Sequence, residues 1–104
     1  MKETVRLKGS TRKYLRALAH HQSPAVWVGK KGLTEALVQK ADDALSAHEL
    51  IKIRFLEFFE DIRALSETIQ KKTQSEIVGM IGHTVILYRQ HPEPEKRKIR
   101  LPSE

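Results

Sequence analysis

The sequence predicts an α/β fold, a two-layer sandwich in which a four-stranded mixed sheet has its helices packed on one face. Two observations predict it: apolar residues recur at helical spacing in three segments, and four short segments have strand character. The segments follow one another in the order α-β-α-β-α-β-β. Each predicted helix has a single apolar stripe, which one sheet can cover. Strand–helix–strand crossovers give parallel or mixed pairing, and a final hairpin adds antiparallel pairing.

The first predicted helix covers residues 11–21, with Ser10 as its N-cap. At about 100° per residue, Leu15 shares one side of this helix with its apolar neighbours Tyr14 and Leu18. The basic residues share the opposite side, so we expect an outward basic face made of Arg12, Lys13, Arg16 and His20.

The remaining segments alternate between strand and helix up to residue 89. A short apolar run predicts a buried strand, and the alternation of Ile51 with Lys52 is typical of the next one. Two amphipathic segments predict helices, the second of them capped by Asp61. A turn at Gly82-His83 joins the last two strands. The predicted ranges are, in order, 25–28, 33–47, 50–55, 61–72, 77–81 and 84–89.

The length predicts one small domain, and the charge favours a polyanion as its ligand. The 104 residues predict a single domain over 1–104, with a core at about 10–90 and a basic tail at 91–104. The net charge is +6, and it is uneven: residues 1–40 hold nine Lys or Arg and two acids. The tail residues 96–104 hold four basic residues and one acid. A charge distribution of this kind is expected when one surface binds nucleic acid.

Composition also excludes several classes of protein. The absence of cysteine excludes disulfide scaffolds and thiolate zinc sites. No apolar run approaches a membrane span, and the first residues lack the apolar core of a signal peptide. We therefore expect a cytoplasmic protein without a membrane partner.

The turn Gly29-Lys30-Lys31-Gly32 is the candidate binding site. It lies between a predicted strand and the start of a predicted helix, where unpaired N–H groups and the helix dipole favour anions. The glycines permit close approach of a ligand, and the two lysines can reach further phosphates. Neither glycine-rich nucleotide-binding pattern is present, so a polymer backbone is the better ligand.

No pattern of residues indicates catalysis. The five histidines show no metal-ligand spacing, and no serine or threonine has an evident base partner. We expect no metal, no cofactor, no small-molecule substrate and no enzymatic activity. The pair Phe58-Phe59 is interpreted as a loop whose rings fold onto the core, with an exposed contact patch as the alternative.

Four segments together resemble the bacterial YhbY-like family, whose members are stand-alone CRM (chloroplast RNA splicing and ribosome maturation) domains. The resemblance covers about residues 10–101, in order and at fitting spacing. The segments that carry it are Arg12–His20 (RKYLRALAH), Val28–Thr34 (VGKKGLT), His48–Ile53 (HELIKI) and Ile81–Arg89 (IGHTVILYR).

The resemblance implies a fold similar to the C-terminal domain of bacterial initiation factor three. It implies RNA binding through a loop like the G-x-x-G clamp of KH domains, and association with precursors of the large ribosomal subunit. The motif match assigns RNA contacts to Gly29, Lys30, Lys31 and Gly32, and more weakly to Arg12 and Arg16. We assign the segment His48-Glu49-Leu50 to folding, because its spacing places His48 and Leu50 inward.

This chain departs from the family pattern at three places. At one of them, Gln90-His91 separates Arg89 from the proline that is expected directly after it. Gly79 falls in the middle of a predicted strand, which indicates a bulge or close helix packing there. The pair Phe58-Phe59 is more apolar than the charged loop of the family.

The sequence therefore predicts a monomeric RNA-binding protein that assists large-subunit ribosome assembly. Its expected partner is ribosomal RNA in the precursor subunit, held by the glycine loop and by Arg12, Lys13 and Arg16 of the first helix. The alternatives are a general nucleic-acid-binding module, including one for double-stranded DNA, and a protein-docking module that uses Phe58-Phe59. A small hydrolase is a further alternative.

Overall fold

A computed structural model describes residues 7–102 and has the predicted order of elements. The ends of the predicted domain, residues 1–6 and 103–104, lie outside the described residues. Short 3₁₀ turns occupy 59–61 and 94–96. The elements are α1 (Gly9–Ala19), β1 (Val26–Val28), α2 (Glu35–His48), β2 (Leu50–Phe55), α3 (Ile62–Thr73), β3 (Glu76–Ile81) and β4 (Thr84–Tyr88).

The four strands form one mixed sheet in the order β1-β2-β4-β3. β1 runs parallel to β2, as the crossover through α2 requires, and β4 runs antiparallel to both of its neighbours. The predicted mixed four-stranded sheet is confirmed. β1 and β3 are the edge strands, so Trp27 in β1 is 47% exposed, and the prediction of a fully buried first strand is wrong at this residue.

The larger core lies between one sheet face and helices α2 and α3. Alternate residues of β2 and β4 point into it, because side chains on a strand alternate between the two faces. Ala41 and Leu45 of α2, with Ile62 and Ile69 of α3, cover this face. The strands contribute Val26, Val28, Ile51, Ile53, Phe55, Val85 and Leu87.

Helix α1 packs on the opposite face of the sheet, which corrects the prediction that the helices share one face. Leu15 and Ala19 of α1 are fully buried there against a second apolar cluster of strand residues. The prediction was wrong because the second face of the sheet is not uniformly polar. Part of it is apolar and needs a cover, and its residues are Leu50, Val78, Ile86 and Tyr88.

The orientation of α1 also differs from the predicted one. Tyr14 and Leu18, predicted to point inward, are exposed, whereas Arg12 and Arg16 turn toward the edge strand β3. The Arg12 guanidinium donates to the Ile77 carbonyl and pairs with Glu76 at 3.2 Å. Arg16 Nη1 donates to the Val78 carbonyl at 3.0 Å. These two side chains therefore attach α1 to β3 instead of forming an outward basic face.

Gly79 makes the approach of α1 to β3 possible. The register of β3 against β4 shifts between Ile77 and Gly79, so the predicted bulge is confirmed. A Cβ atom at Gly79 would lie 2.6 Å from Arg16 Cδ, which is closer than side-chain atoms approach one another. The close helix packing indicated by this glycine is thus present as well, through the Arg16 side chain.

The end of the sheet where β2 begins is held by two charged residues, of which Glu49 is the first. Its side chain is 1% exposed and accepts hydrogen bonds from the backbone N–H groups of His91, Lys98 and Ile99 at 2.7 to 2.9 Å. These bonds attach the predicted basic tail to the domain, and Ile99 and Leu101 pack on the cluster under α1.

Arg89 fixes the neighbouring corner of the same end. Its guanidinium pairs with the Asp42 carboxylate at 2.6 Å and donates to the Thr73 carbonyl at 2.7 Å and to Ser46 Oγ at 2.9 Å. The residue that follows β4 therefore joins α2 to the end of α3 through one side chain.

The assignment of inward residues at the start of β2 is half confirmed. Leu50 is fully buried, but His48 is exposed, and the residue between them, Glu49, points inward instead. Glu49 adopts a left-handed φ of 66° as α2 ends. This reversal of chain direction moves the buried position from His48 to Glu49.

Candidate nucleic-acid interface

Three loops meet at the end of the sheet where β2 finishes, opposite to Glu49 and Arg89. β1 and β2 run parallel with Val28 beside Phe55, so the loops that follow both strands leave from the same edge. The β3–β4 turn joins them, because the His83 carbonyl accepts a hydrogen bond from the Phe55 N–H at 2.8 Å. We call this region the loop end; it contains residues 29–34, 56–61 and 82–83.

The loop Gly29–Gly32 is a tight turn that leads into α2. The Gly32 N–H donates to the Gly29 carbonyl at 3.0 Å, and Gly32 has a φ of +67°, a conformation in which glycine is favoured. Thr34 is the N-cap of α2, and its Oγ1 accepts from the Leu37 N–H at 3.1 Å. The turn is thus fixed on both sides.

Several polar groups of this turn remain available to a ligand. Lys30 and Lys31 are exposed, and no group in residues 7–102 accepts a hydrogen bond from their backbone amides. The amides of Glu35 and Ala36 in the first turn of α2 also have no acceptor within that range. Unpaired amides at a helix start, next to two ammonium groups, form an arrangement that binds a phosphate.

The turn is capped by a neutral residue rather than an acid. Thr34 provides the side-chain oxygen at the start of α2. Glu35, the acidic residue of the first turn, is exposed, and it accepts no hydrogen bond from the part of the loop that the structure describes. The start of α2 is therefore not occupied by an acidic side chain of the described residues.

Phe58 and Phe59 are exposed beside this turn, which corrects the prediction that their rings fold onto the core. The two residues are 41% and 49% exposed. The Phe59 ring stacks on the His83 ring, with centroids 4.0 Å apart and planes 9° apart. Phe58 borders the glycine loop, because a Cβ atom at Gly32 would lie 3.5 Å from its ring. We call Phe58, Phe59 and His83 the ring cluster.

The backbone of Phe58 has an unusual conformation. Phe58 has a φ of 59° and a ψ of 40°, in the left-handed region that a bulky residue rarely adopts. The cluster was not expected from the sequence, because the apolar side chains of Phe58 and Phe59 predicted burial. The available signal was the set of acids around the rings, Glu57, Glu60 and Asp61, which is unusual for a core segment.

The predicted basic residues of α1 do not adjoin the glycine loop in one row. The guanidinium groups of Arg12 and Arg16 are engaged with β3, where they line a groove together with Arg63 and Glu67 of α3. Each retains further N–H donors for a second partner, because a guanidinium has five. Lys13 is exposed on the outer side of α1. The assignment of these three residues as RNA contacts stays a prediction.

Within residues 7–102, no three His, Asp or Glu side chains lie close enough together to bind a metal ion. The helices of the same range are too short and too polar to cross a membrane.

Comparison with known proteins points to one family. The model of the CRS1/YhbY (CRM) domain family matches residues 7–89. The protein named "Probable RNA-binding protein YqeI" from Bacillus subtilis is 36% identical over 97 residues, which are 92% of this chain and 99% of YqeI. A Haemophilus influenzae protein named "RNA-binding protein" is 36% identical over 97 residues, 92% of this chain and 95% of its own length.

A solved structure has the same fold. The solution structure of SAV1595 from Staphylococcus aureus superimposes with a TM-score of 0.78 at 39% sequence identity. The match covers 93% of this chain and all of SAV1595.

Proposed function

Since this chain belongs to the CRS1/YhbY (CRM) domain family, we propose that it binds RNA by holding the ribose-phosphate backbone at the Gly29–Gly32 turn. The observation that carries the proposal is the pair of exposed lysines beside unpaired backbone amides. The names of the relatives from B. subtilis and H. influenzae support RNA as the ligand.

The small size of the turn favours binding of a polymer over binding of a free nucleotide. Four residues provide a few amides and two ammonium groups, which suffice for one or two phosphates. Affinity for a polymer grows as further phosphates are neutralised along the strand. Lys13 on α1 is the exposed cation that we assign to a further phosphate, with Arg12 and Arg16 as secondary contacts.

We further propose that the bound RNA is ribosomal and that the protein assists assembly of the large subunit. The motif resemblance supports this assignment. In the proposal the protein acts in the cytoplasm as a monomer and has no catalytic activity. Its role is to hold one RNA segment while the precursor subunit matures.

The binding site is tested with a matched pair of lysine variants. Lys30→Ala with Lys31→Ala removes two charges at the loop end, and Lys71→Ala with Lys72→Ala removes two charges at the opposite end of the sheet. Filter binding to single-stranded RNA over a range of salt concentrations gives a log–log slope. We expect the loop variant to flatten this slope by about 1.4, from about 0.7 per lost contact.

The control variant should keep the wild-type slope, and both should keep the wild-type circular dichroism spectrum. Equal slopes for the loop variant and the wild-type protein would remove the turn from the mechanism. Competition with duplex DNA tests the general nucleic-acid alternative, since a CRM-type site should prefer RNA.

The ribosomal assignment has its own test. An extract of cells that produce the protein is sedimented through a gradient, and the protein is detected in each fraction. We expect it with immature large subunits, and with the loop variant we expect it at the top of the gradient. Wild-type protein that stays at the top would contradict the ribosomal role and leave RNA binding unaffected.

A further inference from the structure

The ring cluster borders the glycine loop. A Cβ atom at Gly32 would lie 3.5 Å from the Phe58 ring. Gly32 ends the turn that carries Lys30 and Lys31. Phe59 stacks on His83 within the same loop end, and close to half of each phenylalanine remains exposed. A phosphate site and an exposed aromatic surface are therefore adjacent.

We propose that Phe58, Phe59 and His83 form a platform on which an unpaired base stacks, next to the phosphate held by the glycine loop. This proposal rests on the proposed function and narrows it to RNA with unstacked bases. Exposed aromatic rings are the usual partners of unpaired bases, because every base has a π face that can stack. A duplex keeps its bases stacked internally and has none to offer.

The charges around the cluster favour an uncharged group over the rings. Glu57, Glu60 and Asp61 flank the two phenylalanines in sequence, and Glu60 and Asp61 are exposed. Their carboxylates repel phosphate, whereas Lys30 and Lys31 attract it. A nucleotide therefore binds in one orientation, with its phosphate toward the turn and its neutral base toward the rings.

The conformation of Phe58 supports a binding role over a packing role. A non-glycine residue in the left-handed region is strained, and such residues cluster at functional sites. Phe58 adopts this conformation and is 41% exposed. Burial in the core therefore does not offset the strain.

The first test uses the wild-type protein and a series of RNAs. Abasic nucleotides are placed one at a time along a single strand of about ten nucleotides, a length within the usual site size. We expect one position at which loss of the base weakens binding about 5-fold to 150-fold, the range for one stacked base. Equal affinity for every abasic RNA would overturn the platform.

The second test determines whether the base stacks on Phe59. The base at the sensitive position is replaced by 2-aminopurine, whose fluorescence is quenched on stacking. We expect quenching by the wild-type protein and by Phe59→Tyr, which keeps a ring, and none by Phe59→Leu, which keeps only apolar volume. Leu56→Ala in the same loop is the control, because Leu56 is also 49% exposed but has no ring.

The outcomes separate this proposal from the one on which it rests. If wild-type protein binds RNA with the expected salt dependence but Phe59→Leu quenches as well as the wild type, the platform is wrong and the loop site stands. If wild-type protein binds no single-stranded RNA, both proposals fail.

Discussion

The two ends of the sheet use charged residues in opposite ways. Where β2 begins, Glu49 and Arg89 are bound by hydrogen bonds to the backbone and to neighbouring side chains. Where β2 finishes, Lys30 and Lys31 are exposed, and no residue of the described range 7–102 forms an ion pair with them. The charged residues thus have two roles: some stabilise the fold, and others lie on the surface that is available to a ligand.

The same contrast holds within the basic residues of the first forty positions. Arg12 and Arg16 are oriented by carbonyl groups of β3, and their positive charge is partly satisfied there. Lys13, between them in sequence, is exposed. A guanidinium suits the first role because its planar donors match carbonyl and carboxylate acceptors, and a flexible ammonium suits the second.

Glu49→Ala should have the largest effect. The substitution leaves three backbone N–H groups without their acceptor, and hydrogen bonds to a charged group contribute about 1.5–3 kcal/mol each. We expect a loss of more than about 3 kcal/mol in the free energy of unfolding, a large fraction of the total for a domain of this size. Urea titration followed by circular dichroism measures it.

The matched control for Glu49 lies at the loop end. Glu60→Ala removes an exposed carboxylate and should change the free energy of unfolding by less than about 0.5 kcal/mol. Similar losses for the two variants would show that the two ends do not differ as the structure indicates.

Arg16→Ala should mainly lower the stability, and Lys30→Ala should mainly flatten the salt slope of RNA binding. Both effects should be of intermediate size. Arg16→Ala removes the bond to the Val78 carbonyl and the contact with Gly79, so we expect a loss of about 1–2 kcal/mol of stability. Lys30→Ala should keep the stability and flatten the salt slope of RNA binding by about 0.7.

Thermal unfolding and filter binding on both variants give the comparison. We expect Arg16→Ala to flatten the salt slope less than Lys30→Ala does, because Arg16 is proposed as a secondary contact. An equal flattening for the two variants would show that Arg16 contacts phosphate as directly as Lys30 does, and the contrast between structural arginines and binding lysines would then be wrong.

A separate effect is expected at high pH. Burial of Tyr88, and secondarily the nearby Glu49 carboxylate, raise the pKa of its hydroxyl to about 12. The hydroxyl ionises near pH 10 in the unfolded chain, so its contribution to stability is complete below pH 10 and is lost as the pH rises toward 12. Tyr88→Phe should therefore lose less stability than the wild-type protein between pH 10 and pH 12.

The free energy of unfolding at several pH values, measured for both proteins, isolates the contribution of this residue. Parallel curves for the two proteins would show that Tyr88 ionises as easily in the folded state as in the unfolded one.

The order and type of the elements could be predicted from sequence because they follow from local patterns. The alternation in β2 and the apolar stripe of α3, with Ile62 and Ile69, are properties of a few neighbouring residues. Gly79 also indicated its bulge, since a glycine inside a strand often marks a bulge or the close approach of another segment.

The positions that sequence reasoning missed depend on contacts between distant segments. The residues next to Arg16 in sequence do not show that the Val78 carbonyl will accept a hydrogen bond from its guanidinium. Likewise, the residues next to Glu49 do not show that backbone amides in the range 91–99 will donate to its carboxylate. The burial of Phe58 was predicted wrongly because the hydrophobicity of a side chain favours burial, whereas this residue is 41% exposed in its loop.

At the site, the turn Gly29–Gly32 could be predicted, and the ring cluster could not. The turn has a sequence pattern whose physical meaning is local, namely flexible residues and cations at a helix start. The cluster joins residues of two loops, Phe59 and His83, that only the pairing of β2 with β4 brings together.

The attachment of Arg12 and Arg16 to β3 has a consequence for encounters between copies of the chain. An edge strand usually offers a row of vacant carbonyls and amides on which a neighbouring molecule can add a strand and begin to aggregate. On β3 the carbonyls of Ile77 and Val78 already accept from arginines, and a bulge interrupts the row. The same two side chains that position α1 thus discourage edge-to-edge association on this side.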